Sequence, residues 1–460
     1  MDVLTLKGGY YKFRSLAQEA IGLDITDYAT LASMAHDYLI KQGCYDGVVK
    51  MSGVPRAFIQ RCVVGGRTMC KRNEKQAPRD DTLDDFDGVS LYPASMVRMN
   101  GFLKGAPKII ESFEPEKYSG YFVCVKITKV GKHLDFPLGS VITDSGVRNF
   151  TNDLVNVHLY VDKTSLEDLV AFQQVEYEFV NGYYFDEGHN TQAKTTMQYL
   201  FDQRLKYKKL KNPLQLVFKE LMNSSYGKSI LKPIEEKCDY VKREEIDKHL
   251  DRHHNHVKIA TLLPNGRMYK VRSMKTIDQH FNSPQVGVEV LRMSKRIMNE
   301  VICTGEDKGL GLFYQGTGSI HIYRKDVAIL ADAFQQKYGR ELIDKALGQF
   351  HTDFDLEGAC GPIVSVESYF LGKKCYIDRR SSTDKDGNEL HGMHCRMKGV
   401  SESSIKHKAM TENCEVIDLY KRMYDGERVG YELTAVRPKF EMNADMTIRS
   451  KTSFMRNVQF

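Results

Sequence analysis

The stretch DGVSLYPASM, residues 87–96, decides the fold. Asp87 sits at the end of an apolar strand, a position from which a carboxylate can hold a metal ion. Ser90, Leu91 and Tyr92 lead into Pro93, whose fixed φ and missing N–H suit the first turn of a helix. The longer run FDGVSLYPASMVRMNGF therefore reads as strand, turn and helix. An aspartate before such a turn is by itself most often a helix cap, so the meaning lies in the neighbours.

Two further segments extend the pattern. In KELMNSSYG, residues 219–227, Lys219, Asn223 and Tyr226 stand at i, i+4 and i+7 and share one helix face. Leu214, Val217, Leu221 and Met222 form an apolar stripe elsewhere on the cylinder, and Gly227 reads as a C′ residue. One basic and two polar residues aligned on a packed helix suit a platform for a triphosphate and a base pair; on spacing alone an ordinary solvated face is the plainer reading. Arg204, Lys206 and Lys208 in the basic run upstream offer a second phosphate contact or simply a solvated surface. In GLFYQGTGSIHIYR, the runs LFY and SIHIY join across Gln315, Gly316, Thr317 and Gly318. This reads as a hairpin whose glycines serve the turn, since glycine tolerates positive φ.

D-x-x-S-L-Y-P in DGVSLYP resembles the first palm motif of family B DNA polymerases. K-x-x-x-N-S-x-Y-G, which follows it in the right order, resembles their fingers motif. At the hairpin the family reads Y-x-D-T-D-S, matched here by Tyr314, Thr317 and Ser319. The resemblance implies that Asp87, with the carbonyl of Gly88, binds catalytic Mg²⁺, and that Tyr92 packs under the incoming sugar and rejects a 2′-hydroxyl. It places Lys219 on the nucleotide phosphates, with Lys208 as a candidate for the second phosphate contact, Asn223 and Tyr226 along the nascent pair, and Ser90, Gly227, Thr317 and Ser319 near DNA. Lys374 and Tyr376 in KKCY match the K-x-Y element at the primer terminus, and Lys398 in RMKGV resembles the thumb lysine. Gly65 and Gly66 resemble the glycine pair of the Y-x-G-G linker, although Val63 replaces its tyrosine.

Gly316 and Gly318 stand where the family has two aspartates. Residues two apart project to one side of a strand, so two carboxylates there would face Asp87 and complete a two-metal site. Phosphoryl transfer depends on positioning and charge neutralisation, and Mg²⁺ demands near-octahedral oxygen ligands. Loss of one well-placed electrostatic group costs ~10²–10³ in rate. Asp85, Glu306 and Asp307 are nearby acids, but none reproduces the pair at the turn. The chain as it stands is expected not to polymerise. The alternative to a working polymerase is a pseudo-polymerase that binds DNA, nucleotide or terminal protein without catalysis.

The long stretches between motifs point to the protein-primed branch, whose two insertions bind the priming terminal protein and encircle DNA. The expected fold is α+β, a right hand of palm, fingers and thumb. Residues 1–80 are read as a remnant of an exonuclease domain with its linker, without the D-x-E signature of proofreading. Residues 81–104 are read as palm, 105–190 as palm with the terminal-protein-region insertion, and 191–231 as fingers. Residues 232–280 are taken as the second insertion, 281–380 as palm again with the hairpin and K-x-Y, and 381–460 as thumb and tail. The expected partners are a DNA primer-template, deoxynucleoside triphosphates and a terminal protein.

The totals agree with a nucleic-acid protein without demanding one. Across 460 residues, 42% hydrophobic and 27% charged is ordinary for a globular chain, and the net charge of +6 is compatible with a DNA groove but shared by many metabolic enzymes. The ten cysteines form no C-x-x-C pair, which argues for reduced thiols in an intracellular setting, whether host cytoplasm, nucleus or virion. Neither a signal-peptide pattern nor an apolar run long enough to span a membrane is present. His249, His253, His254 and His256 lie in a charged stretch without cysteines at ligand spacing, the pattern of a solvated loop.

Overall fold

The computed structural model describes residues 2–231, 236–275, 282–442, 445 and 447–460. They form two compact units. The first comprises Met1–Leu231, Ser283–Lys374 and Asp378–His394; the second comprises Lys232–Asn282, Cys375–Ile377 and Cys395–Phe460.

The first unit is organised around an antiparallel sheet. Its order runs from Met69–Cys70 through the hairpin strands Leu312–Gln315 and Ser319–Tyr323 to the strand Leu83–Gly88. Val364–Gly372 then follows, with residues 378–383 and 389–394 beyond it. Phe350–Thr352 also pairs with Leu83–Gly88, on the side away from the hairpin. The register sets Phe86 opposite Ile320, Asp85 opposite His321, and Asp87 opposite Ser319. Because side chains alternate along a strand, this one register sorts the sheet into two faces. Phe86, Ile320, Ile322 and Phe350 pack into a core with Ile297, Met298, Val301 and Ile302 of the helix Pro284–Asp307. Asp85, Asp87, Ser319 and His321 point the other way.

That helix is the spine of the unit. Proline at its start supplies a preset φ at a position whose N–H would be unpaired anyway, and nineteen of its residues are buried. Its buried cations are held by backbone: Arg292 donates to the Cys62 carbonyl at 2.6 Å and Lys295 to the Gly65 carbonyl at 3.2 Å. Glu300, also buried, accepts from Arg98 and from Arg340, each at 2.7 Å on Oε2. Arg98 belongs to the helix Leu91–Arg98, so this contact docks the DGVSLYP turn onto the spine.

A helical layer packs on the helices Leu91–Arg98 and Pro284–Asp307. Helices Leu31–Lys41, Gln192–Lys209 and Leu214–Ser224 share a core that includes Met34, Leu39, Met96, Leu200, Phe218, Leu221 and Val290. The helical spacing read over residues 14–42 is interrupted. Asp2–Ile21 ends at Gly22, which has a φ of 68°, and Leu31–Lys41 restarts where the Thr30 hydroxyl accepts from the Ser33 N–H at 3.1 Å. Residues 105–190, read as β-rich, build their own antiparallel sheet in the order Lys108–Ile109, Val175–Phe185, Gly120–Val130, His158–Asp162. The helix Lys163–Gln173 packs on it through Leu166 and Leu169.

In the second unit, Glu236–Lys242, Met268–Met274 and Val257–Leu262 form a three-stranded sheet in that order. The helix Ile246–His253 closes it over Val241 and Val271. His249 and His253 thus lie on a helix rather than a loop, with ring centroids 4.7 Å apart. Helices Glu402–Thr411 and Val416–Tyr424 accompany the long hairpin Val429–Met442 and Ile448–Val458. Residues 232–235 and 276–281, which fall in the stretch read as a second insertion and its border, lie outside the described residues. Among the described residues no helix is long and apolar enough to cross a membrane.

Candidate functional site

The chain brings its singled-out segments to one cleft of about 650 Å³ in the first unit. Asp87, Ser90 and Tyr92 enter it from the strand-turn-helix. Arg204 and Lys208 come from Gln192–Lys209, Lys219 and Asn223 from Leu214–Ser224, and Thr317 and Gly318 from the hairpin tip. The turn after Asp87 is tight because Ser90 adopts the left-handed region at a φ of 49°, an uncommon choice for a residue with a Cβ. Arg204 donates to the Ser90 hydroxyl at 2.9 Å. Burial lowers the pKa of the Arg204 guanidinium, and its Nε has no hydrogen-bond partner among the described residues.

Tyr92, which lines the cleft, meets Tyr226, their ring centroids 4.7 Å apart and tilted by 32°. Burial, and then Tyr92, push the Tyr226 phenol well above its ordinary pKa. Gly227 is not the left-handed helix stop expected from the sequence. The helix ends at Ser224, and Gly227 opens a 3-10 turn, Gly227–Ile230, without positive φ. The backbone winds on past Ser224 through Ser225 and Tyr226, which is how Tyr226 reaches Tyr92.

Gly318 lies against Asp87. Its carbonyl accepts from the Gly88 N–H at 2.9 Å, and a Cβ placed on it would stand 3.4 Å from Asp87 Oδ1. A Cβ on Gly316 would approach the Ser319 hydroxyl oxygen at 2.7 Å, so that side chain would have to shift. Neither glycine has positive φ. Both lie in the turn between the hairpin strands, as read, but the reason is corrected: the turn makes no demand for positive φ at either place. What the glycines change is the chemistry of the tip.

Asp87 is left with an unusual environment. Burial raises its carboxyl from 3.8 to about 7, with further upward pressure from Asp353 and then Asp85. Asp353 and His351 also line the cleft. They follow from the register of Phe350–Thr352, which sets His351 opposite Asp87, while the Asp353 N–H donates to the Asp85 carbonyl at 2.9 Å. Asp353 thus approaches Asp87 from the side away from the hairpin, and its side chain is 62% exposed. Lys345, from the loop before that strand, completes the lining. The sequence offered only a weak hint of these three: the polar-apolar alternation of QFHTD marks a strand too short to read without its partner.

Of the acids considered as substitutes, Glu306 accepts from the N–H groups of Asp135 and Phe136, and Asp307 pairs with Lys132 and Lys337. Both are engaged away from the cleft. Asp85 shares the face of Asp87 but turns to His321, 3.6 Å away, which in turn lies 3.3 Å from Asp378. Burial opposes the His321 cation, yet Asp85 and Asp378 together raise its pKa. Among the described residues no group of three or more His, Cys, Asp or Glu is placed to hold a metal ion. The residues present do not fit the two-metal set that the family resemblance implies: one side of Asp87 is bare, and the acid on the other is solvent-facing.

The remaining singled-out residues divide between the units. Gly66 passes so close to the hairpin that a Cβ there would run into the Thr317 methyl, and Gly65 is held by Lys295. Ser319 stands opposite Asp87. The exposed Lys374 turns the chain at a φ of 55°, its N–H donating to the Tyr314 hydroxyl at 2.9 Å. Tyr376 and Lys398 belong to the second unit.

Comparison with known proteins adds the family. The family model described as DNA polymerase type B, organellar and viral, matches residues 1–304. The phi29 DNA polymerase in complex with primer-template DNA and incoming nucleotide matches with a TM-score of 0.63 at 16% identity, over 95% of this chain and 69% of that one. Its complex with primer-template DNA alone gives 0.62 at 14% identity, over 95% and 68%. The complex with single-stranded DNA also gives 0.62, at 16% identity and the same coverage. At such identities the likeness establishes the fold, a right-hand polymerase. No curated protein matches the chain.

Proposed function

The chain belongs to the organellar and viral type B DNA polymerases, and from that premise we propose that its cleft binds a primer-template and a deoxynucleoside triphosphate while nucleotidyl transfer is impaired. The observation that carries this reading is the cleft itself. Tyr92 lines one cavity with Lys219 and Asn223, more than a hundred residues later in the sequence, and the hairpin wall of that cavity supplies no carboxylate. Lys219 and Lys208 answer the phosphates, and Tyr92 on Tyr226 forms the floor for sugar and base. A replication role primed by a terminal protein, in a virus or mobile element, is in keeping with the family's range, and the separate sheet within residues 105–190 offers a surface for such a partner. Mg²⁺ belongs to this reaction in a working relative; here the residues for a two-ion site are incomplete.

The test is single-nucleotide extension of a short primer-template with Mg²⁺ and then Mn²⁺, comparing the protein with its Gly316→Asp, Gly318→Asp double variant. The expected result is extension by the double variant alone, with a gain of at least ~10³. Extension by the unaltered chain would overturn the impairment and turn attention to Asp353. Failure of both to bind DNA would overturn the polymerase reading itself.

A further inference from the structure

The cleft that has lost its acids has kept its cations. Arg204, Lys208, Lys219 and Lys345 line it, against Asp87 and Asp353 as the carboxylates. None of the four cations is paired with a carboxylate among the described residues. A metal-bearing nucleotide site works differently: a divalent ion bridges protein carboxylates to the phosphates, and protein cations are supplementary. Here the hairpin offers the ion nothing to bridge to.

We propose that this cleft binds the triphosphate of a nucleotide directly on Arg204, Lys208, Lys219 and Lys345, with no requirement for a divalent metal ion. The inference rests on the nucleotide-binding part of the function proposed above. Its physical core is charge matching. A free triphosphate brings its full negative charge to four cations that have no carboxylate partner among the described residues. A triphosphate already chelating Mg²⁺ brings less, and carries a cation into a cleft that is net positive. Lys345 is the most informative member of the set, because it lies in an exposed loop and matches none of the sequence motifs.

Equilibrium titration with dATP, once in EDTA and once in excess Mg²⁺, tests this on the intact protein. The expected result is binding in EDTA at least as tight as in Mg²⁺. Lys345→Ala should weaken the EDTA binding roughly tenfold, the scale of one charge-assisted contact, while Lys345→Arg retains it. The Gly316→Asp, Gly318→Asp variant should reverse the order and bind more tightly with Mg²⁺. Binding only in Mg²⁺, abolished by Asp353→Asn, would overturn the proposal and leave the nucleotide-binding function standing. An absence of dATP binding in both conditions, with DNA binding intact, would overturn both.

Discussion

The same face of one sheet carries two polar clusters two residues apart along one strand pair, and they have been treated differently. At the cleft, Asp87 faces Gly318 with no counter-charge from the hairpin. One residue pair deeper, Asp85, His321, Asp378 and Ser368 form a buried chain in which each group has a partner, with Ser368 donating to Asp378 at 2.7 Å. The lesson is one of cost. In the buried cluster, removing one member strands a charge in low dielectric. At the tip, removing carboxylates relieves repulsion around a single acid. The fold therefore tolerates the second loss and not the first.

The largest effect should come from attacking the buried cluster. His321→Ala is expected to cost about 3–5 kcal/mol, because Asp85 and Asp378 lose the cation between them; denaturant unfolding measures it. The raised pKa of His321 means that its contribution is full below its ordinary 6.5 and is lost as pH climbs through the higher folded value. Asp378 is lowered, so its share is present above 3.8 and disappears as pH falls through its depressed value. A His321→Ala loss under ~1 kcal/mol at pH 6 would erase the contrast between the two clusters.

Restoring the tip should act in the opposite sense. In EDTA, the Gly316→Asp, Gly318→Asp variant should be less stable than the parent by about 1–3 kcal/mol, from carboxylates crowding Asp87. Added Mg²⁺ should recover part of that loss by binding the folded form. Thermal unfolding with and without the ion decides it; a variant as stable as its parent in EDTA would show that repulsion at the tip is not the reason glycine is tolerated.

A smaller effect follows from Asp87 itself. Its carboxyl holds protons more tightly folded than unfolded between 3.8 and about 7, so stability falls as pH rises through that window. Asp87→Asn should stabilise by about 1–2 kcal/mol at pH 8 and hardly at all at pH 4. Equal gains at both values would sink the assignment of the strain to ionisation. Smallest of all, Lys345→Ala should leave stability within about 0.5 kcal/mol, which makes its effect on nucleotide binding readable.

Much of this was legible in the sequence because it is local. The strand, turn and helix around Asp87, the hairpin, and the shared face of Lys219 and Asn223 all follow from spacing, and each appears in the structure. What spacing could not reach was contact between strands. Asp353 and His351 matter only through their register with Asp87, and the His321 network only through residues 57 and more positions away. Backbone conformation was misjudged for the same reason. Gly316 and Gly318 looked like turn residues by type, yet their φ values make no demand for glycine, whereas Ser90 takes the left-handed conformation that its type does not announce.

Glu300 shows how a single position can tie distant parts of a gene together. One buried carboxylate receives Arg98, two hundred residues earlier, and Arg340, forty residues later. A neutral residue there would leave two guanidinium groups searching for an anion, and an exchange at either arginine would leave the acid half-answered. Across related sequences these three positions are expected to change as a group or not at all. Drift at any one of them would be an early sign that the helix Leu91–Arg98, and Asp87 with it, is coming loose from its support.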